Sequence, residues 1–142
     1  MDPATRHFVR MRAKGRCEYC GLPEQLVPLI TFHLEHVIPR QHGGSDDQTN
    51  LAMACPWCNR AKGPNLSGID PETNAMVPLF NPRQQVWSEH FAYHETSIIG
   101  LSPVGRATVR VLAMNRAEPL EIRAWLMTEG AFFQIRPEMG YE

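Results

Sequence analysis

Hydrophobic positions change their spacing along the chain. From Ser102 onward the spacing is helical: Val104, Ala107, Thr108, Val111 and Leu112 stand at i, i+3, i+4, i+7 and i+8, one buried helix face. Ser102-Pro103 supplies an N-cap followed by a proline at the first helical position. A last helix is predicted from about Pro119, burying Ile122, Trp125 and Leu126 and stopping at Gly130. Between these and the middle of the chain, "HFAY" and "SIIG" flank Glu95-Thr96 as a short hairpin. Further back, Leu51 to Ala54 forms an apolar strand. Phe32, Leu34 and Ile38 alternate as the apolar set of another, which nominally turns His36 toward the core and Glu35 away from it. For both side chains to share a site the strand must end, twist or bulge near His36, and Pro39 offers such a break. The stretch "IDPETNAMVPLFNPRQQVW" is rich in turn formers, and the tail "AFFQIRPEMGYE" has no clear pattern.

The texture changes at "KGPNLSG", which divides the chain into residues 1–66, rich in cysteine and histidine, and residues 67–142. At 142 residues the two parts are expected to pack as one compact unit, the second as a hairpin-plus-helices extension of the first. Arg6, Arg10 and Lys14 recur at helical spacing before Cys17, so a short helix could present them to phosphate. The net charge of −1 argues against a strong non-specific grip on nucleic acid, so any such contact should be local and salt-sensitive. No apolar run approaches the roughly 20 residues of a membrane span, and the first residues have no apolar stretch like that of a signal peptide. A cytoplasmic protein is expected, in which thiols stay reduced.

That compartment makes the cysteines a metal signature. Cys17 and Cys20 form one C-x-x-C pair, Cys55 and Cys58 another, and each pair fits a knuckle whose turn aims two thiolates at one tetrahedral ion. Four thiolates close the shell, so the zinc would be structural and would staple the ends of a long polar loop. His33 and His36 are then free for other work. They stand three apart, not at the spacing of a metalloprotease helix.

The run "EHVIPRQHGGSDDQTNLAMACPWCNRAKG" resembles the HNH endonuclease family, the ββα-metal nucleases. The acidic-His pair falls on Glu35-His36, and Pro39 with Gly43-Gly44 matches the loop that follows. The middle asparagine falls on Asn50, and the C-x-x-C-N-x-x-K ending on Cys55, Cys58, Asn59 and Lys62. The resemblance runs from about Arg16 to Lys62 and implies an α+β fold with a treble-clef-like, zinc-stapled nuclease core. It implies a metal-dependent endonuclease acting on DNA, with His36 as general base, Glu35 and Asn59 as ligands of a catalytic metal, and Asn50 as the residue orienting the loop and the base.

Elementary chemistry agrees with those roles. Phosphodiester hydrolysis needs a nucleophile made from water and relief of charge on the leaving oxygen. A neutral imidazole is a suitable base, and carboxylate and amide oxygens hold a hard divalent ion. Two departures from the family pattern bear on the metal. Glu35 stands where aspartate is commoner, and Asn59 where histidine is commoner, which favours Mg²⁺ or Mn²⁺ over Zn²⁺ or Ni²⁺ at the catalytic position. Lys62, one turn after Asn59, could reach a phosphate; Arg40 and His42 on the loop, and His33 on the strand, are further candidates for substrate contact.

Two other function classes fit parts of the pattern. "HLE" followed by "CPWC" is superficially like the signature of zinc nucleobase deaminases, but Ala54 replaces the proline before Cys55 and the first cysteine pair would have no task. A non-catalytic zinc module binding nucleic acid or protein would keep the cysteines while losing the base or the oxygen ligands. One active site cuts one strand per visit, so double-strand cleavage would call for a homo-oligomer or a second encounter, and a targeting partner is compatible with the sequence.

Overall fold

Asp2 caps the first helix, α1 (Pro3–Arg12): its carboxylate accepts from the Thr5 amide at 2.8 Å, and Pro3 occupies the turn where no N–H donor is needed. The computed structural model describes residues 1–27 and 29–129; Gly130, the expected helix stop, and the tail beyond it lie outside those residues. The basic face expected on α1 is divided. Arg10 turns to Glu24 at 2.6 Å and to the Phe32 carbonyl at 3.3 Å, and Lys14 lies past the helix in a left-handed turn at φ 56°. Arg12 donates to the Leu51 carbonyl at 2.7 Å, which fastens α1 to the strand it packs on.

After α1 the chain makes a tight knuckle at Cys17–Cys20. Gly21, at φ 82°, donates to the Cys17 carbonyl at 2.9 Å, a left-handed position that glycine occupies without steric cost. Strand β1 (His33–His36) then pairs antiparallel with β2 (Leu51–Ala54), His33 opposite Ala54 and His36 opposite Leu51. Every residue of β2 is buried. Helix α2 (Pro56–Lys62) follows at once, with Cys55 as its N-cap, and packs on β1. Two strands and a helix, flanked by cysteine pairs that meet in space, make this an α+β, ββα-metal fold.

The described residues beyond α2 form two hairpins and three helices. Strands β3 (Ser67–Ile69) and β4 (Met76–Pro78) pair antiparallel in the stretch that reads as loop. That hairpin is held from outside: the Asp70 carboxylate at its turn takes two bonds from Arg106, at 2.8 and 3.0 Å. Helix α3 (Trp87–His90) leads into the expected hairpin, β5 (Phe91–His94) and β6 (Ser97–Gly100), then α4 (Pro103–Val111), which Ser102 caps from 3.0 Å. Helix α5 (Ala117–Thr128) starts two residues before Pro119, and its buried line is Pro119, Arg123 and Leu126. Trp125 is one residue off that line and is 55% exposed, contrary to the sequence expectation. Buried Arg123 donates to the Thr96 and Met114 carbonyls at 2.7 and 2.8 Å and so ties α5 to both preceding turns.

Among the described residues one buried cluster draws on both halves of the chain, with Val9, Leu51 and Met53 from the first and Phe80, Phe91 and Tyr93 from the second. Hydrogen bonds join the halves at the first knuckle. The Trp87 indole donates to the Tyr19 carbonyl at 2.7 Å and the Tyr93 hydroxyl to the Cys20 carbonyl at 2.8 Å. The second half thus covers the first metal-binding turn.

Candidate functional site

All four cysteines are buried and unbridged, and their sulfurs lie within 4.8 Å of one another. Cys20 Sγ and Cys55 Sγ are 3.8 Å apart. A tetrahedral zinc with bonds of about 2.3 Å would set its sulfurs about 3.8 Å apart, so the donor set and its size both fit zinc. Each pair is preformed by an amide: Cys20 N–H donates to Cys17 Sγ and Cys58 N–H to Cys55 Sγ, both at 3.4 Å. Hydrogen bonding to Cys17 pulls the Cys20 thiol well below its usual range and pushes Cys55 and Cys58 above theirs. Sulfurs so close cannot all ionise alone; a divalent ion is what permits four thiolates. No histidine belongs to this cluster, as a deaminase zinc would require.

The second cluster gathers where β1 ends. An open depression of about 370 Å³ is lined by Glu35, His36, Arg40, Asn59, Gly63 and Pro64 among others. Glu35 and His36 therefore do reach one site, but not with the faces that alternation suggests. Glu35 is the buried residue of β1, at 7% exposure, while Ile38 is 44% exposed. The inward carboxylate is matched by donors from other elements. The Tyr19 hydroxyl bonds Oε1, and the Lys62 ammonium lies 3.1 Å from Oε2. Burial raises the Glu35 carboxyl above its usual range, and Lys62 and Tyr19 act against that rise.

Lys62 is accordingly not placed as a surface phosphate contact. It is 2% exposed, and its ammonium also donates to the His36 and Val37 carbonyls at 3.2 and 3.0 Å. Arg40 lines the depression, yet its guanidinium bonds Asp46 Oδ1 twice, at 3.1 and 2.8 Å. His33 is exposed on β1, and the His42 ring contacts the Pro64 carbonyl at 3.1 Å. Asn59 lines the depression half-buried, and among the described residues its side-chain amide has no protein partner. It is not a helix cap, since Cys55 fills that position.

Asn50 closes the loop between the strands. Its Oδ1 accepts from Ile38 N–H at 2.9 Å, and its Nδ2 donates to the Ile38 and Ser45 carbonyls at 3.0 and 2.9 Å. Gly44 is required there: a Cβ would stand 1.6 Å from the Ile38 carbonyl oxygen. The loop so held carries a residue that the sequence reading passed over. Asp46 Oδ1 lies 2.7 Å from His36 Nε2. Within "GGSDDQTN" it reads as a polar turn residue; the one available signal is a carboxylate on the loop joining His36 to Asn50.

Glu35 and Asn59 line one open depression, and a carboxylate with an amide is a donor set that suits a hard divalent ion, with coordination left over for water and a phosphate oxygen. Each oxygen of Glu35 spends one lone pair on a protein donor and keeps another.

Residues 17–65 match the family model for the HNH endonuclease. Residues 17–65 are an HNH endonuclease domain. Septu protein PtuB of Bacillus mycoides is 26% identical over 152 residues, covering 87% of this chain and 50% of that protein. The type IV methyl-directed restriction enzyme EcoKMcrA of Escherichia coli is 34% identical over 64 residues, covering 42% of this chain and 22% of the enzyme. Septu protein PtuA of Bacillus mycoides is 26% identical over 149 residues, covering 86% and 20%. The chain thus spans about half the length of PtuB and about a fifth of the other two. No solved structure matches it. The HNH match ends near α2, whereas the two Septu matches cover 87% and 86% of the chain and so reach well beyond it.

Proposed function

We propose that the protein is a metal-dependent endonuclease that hydrolyses DNA phosphodiester bonds. The observation that carries this reading is the meeting of Glu35, His36 and Asn59 at one open depression beside the four-cysteine cluster. His36 takes a proton from the attacking water. Glu35 and Asn59 hold one divalent ion, Mg²⁺ or Mn²⁺, which when bound supplies charge relief at the leaving oxygen. Asn50 acts at a distance by fixing the loop, and the four thiolates hold a structural zinc that joins the knuckle to α2. DNA as substrate is supported by the HNH domain and by the similarity to a restriction enzyme.

Residues 1–66 serve as the nuclease core and 67–142 as its extension; the Trp87 and Tyr93 bonds to the knuckle support packing of the extension's described part on that core. Among the described residues no helix is long and apolar enough to cross a membrane, and the reduced cysteines suit a cytoplasmic setting. Similarity to two Septu proteins supports a protein partner.

A non-catalytic zinc module is the second reading, favoured by one observation: both oxygens of Glu35 are engaged by Tyr19 and Lys62. Incubation of the purified protein with circular DNA separates the two. Cleavage with Mg²⁺ that stops in EDTA and is lost in His36→Ala is expected, general-base loss costing about 10²–10⁴ in rate. Absence of cleavage with Mg²⁺ and with Mn²⁺, on supercoiled and single-stranded DNA, favours the module.

A further inference from the structure

His36 has two ring nitrogens, and among the described residues only one of them meets a protein partner. Nε2 lies 2.7 Å from Asp46 Oδ1; among the described residues nothing bonds Nδ1. An ionised carboxylate only accepts, so a neutral imidazole against it must carry its hydrogen on Nε2. We propose that Asp46 is a positioning residue: it locks His36 in the Nε2–H tautomer and leaves the Nδ1 lone pair to take the proton from water. This rests on the reading of His36 as the base.

Three further observations make Asp46 a built support. Arg40 donates from Nε and Nη2 to the same oxygen, at 3.1 and 2.8 Å, so the carboxylate is oriented and its charge is balanced. Bonding to His36 and then to Arg40 holds the Asp46 carboxyl below the usual carboxylate range, which keeps it an acceptor. Its position is imposed by the loop. On one side, the Ser45 carbonyl is held by Asn50 Nδ2 at 2.9 Å; on the other, Asp47 caps the turn at 48–50 by accepting from Thr49 N–H at 3.2 Å.

The same geometry accounts for Asn50, which makes no bond to the imidazole. Its three bonds go to Ile38 and Ser45, and the segment they clamp carries Asp46. Asn50 orders the loop, the loop presents Asp46, and Asp46 orients the base. Arg40 belongs to this chain of contacts as the partner of Asp46.

The test uses the full chain in its zinc-loaded state. Two-bond ¹H–¹⁵N correlation spectra without added Mg²⁺ report the tautomer of His36, assigned with His36→Gln, whether or not any DNA is cut. The Nε2–H form should dominate in the parent and give way to a mixture in Asp46→Ala. On circular DNA, Asp46→Ala and Asp46→Asn should lose about 10–100-fold in kcat, the usual cost of removing an orienting partner. The KM for DNA, the Mg²⁺ half-saturation and the zinc content should stay near the parent values, and Asp46→Glu should recover part of the rate.

An Nδ1–H imidazole in the parent overturns the proposal, and so does parental kcat in both Asp46→Ala and Asp46→Asn. A shift in Mg²⁺ half-saturation with kcat intact would make Asp46 a metal ligand instead. Parental cleavage by His36→Ala would bring down the assignment of the base, leaving the tautomer result as a separate measurement.

Discussion

Lys62 and Glu35 form a buried ion pair, Nζ to Oε2 at 3.1 Å, with side chains only 2% and 6% exposed. Removing one partner of such a pair leaves the other charged and unsolvated, at a cost of about 3–5 kcal/mol. Lys62→Met should therefore lower the melting temperature by on the order of 10 °C. Lys62→Met/Glu35→Gln, which removes both charges, should regain part of that loss. A surface lysine that merely touches phosphate would behave differently: the melting curve would hold and KM for DNA would rise. Thermal denaturation of the two variants decides between these.

That pair also marks where sequence reading runs out. The cysteine knuckles, the acidic-His pair, Asn50 and Asn59 are legible because each is a residue type at a fixed short spacing. The side on which Glu35 lies is not, since alternation sends apolar Leu34 and Ile38 inward. What reverses this is a phenol from the knuckle and an ammonium from α2, at sequence distances no local pattern reports. Asp46 escapes for the same reason, because loop closure by Asn50 and Gly44 gives it its meaning. The β3–β4 hairpin has short strands with little apolar alternation, and Arg106, 36 residues on, secures its turn. The helix face of α4 was legible because packing there follows the apolar period.

Zinc content should be about one ion per chain and should survive mild chelation, since four thiolates bind strongly. Cys58→Ser should release it and loosen the knuckle, seen as lost zinc by elemental analysis together with a broadened thermal transition. A chain ended at residue 66 should lose zinc affinity too, because the Trp87 and Tyr93 bonds to the Tyr19 and Cys20 carbonyls would be gone. Full zinc retention by that fragment would show that the first half holds its knuckle unaided.

Asp70 and Arg106 should give stability a defined acid limb. Two bonds from Arg106 hold the Asp70 carboxyl far below the ordinary range, so its folded pKa lies under its unfolded one. The contribution of such a group is complete above the unfolded pKa of about 3.9 and is lost as pH falls through that value toward the folded one. Urea unfolding should show Arg106→Ala destabilised at neutral pH, with the gap to the parent narrowing below about pH 4. A gap that widens on acidification would contradict the pairing.

Asn59 offers the cleanest separation of stability from chemistry. It stands inside α2, not at its cap, and its amide has no protein partner among the described residues. Alanine is the better helix former, by about 0.5 kcal/mol, so Asn59→Ala should melt at or slightly above the parent temperature. Activity should move the other way, because Glu35 would be left as the only protein oxygen for the divalent ion. Half-saturation by Mg²⁺ should rise about tenfold or more, the scale on which ligand support acts. Asn59→Asp adds a second carboxylate and should lower it. Asn59→His replaces a hard oxygen with imidazole and should extend activity to Ni²⁺ and Zn²⁺. Metal titrations of cleavage by the three variants, read beside their melting curves, test the assignment. An Asn59→Ala enzyme with the parental Mg²⁺ dependence would leave Glu35 in need of a different oxygen partner around the depression.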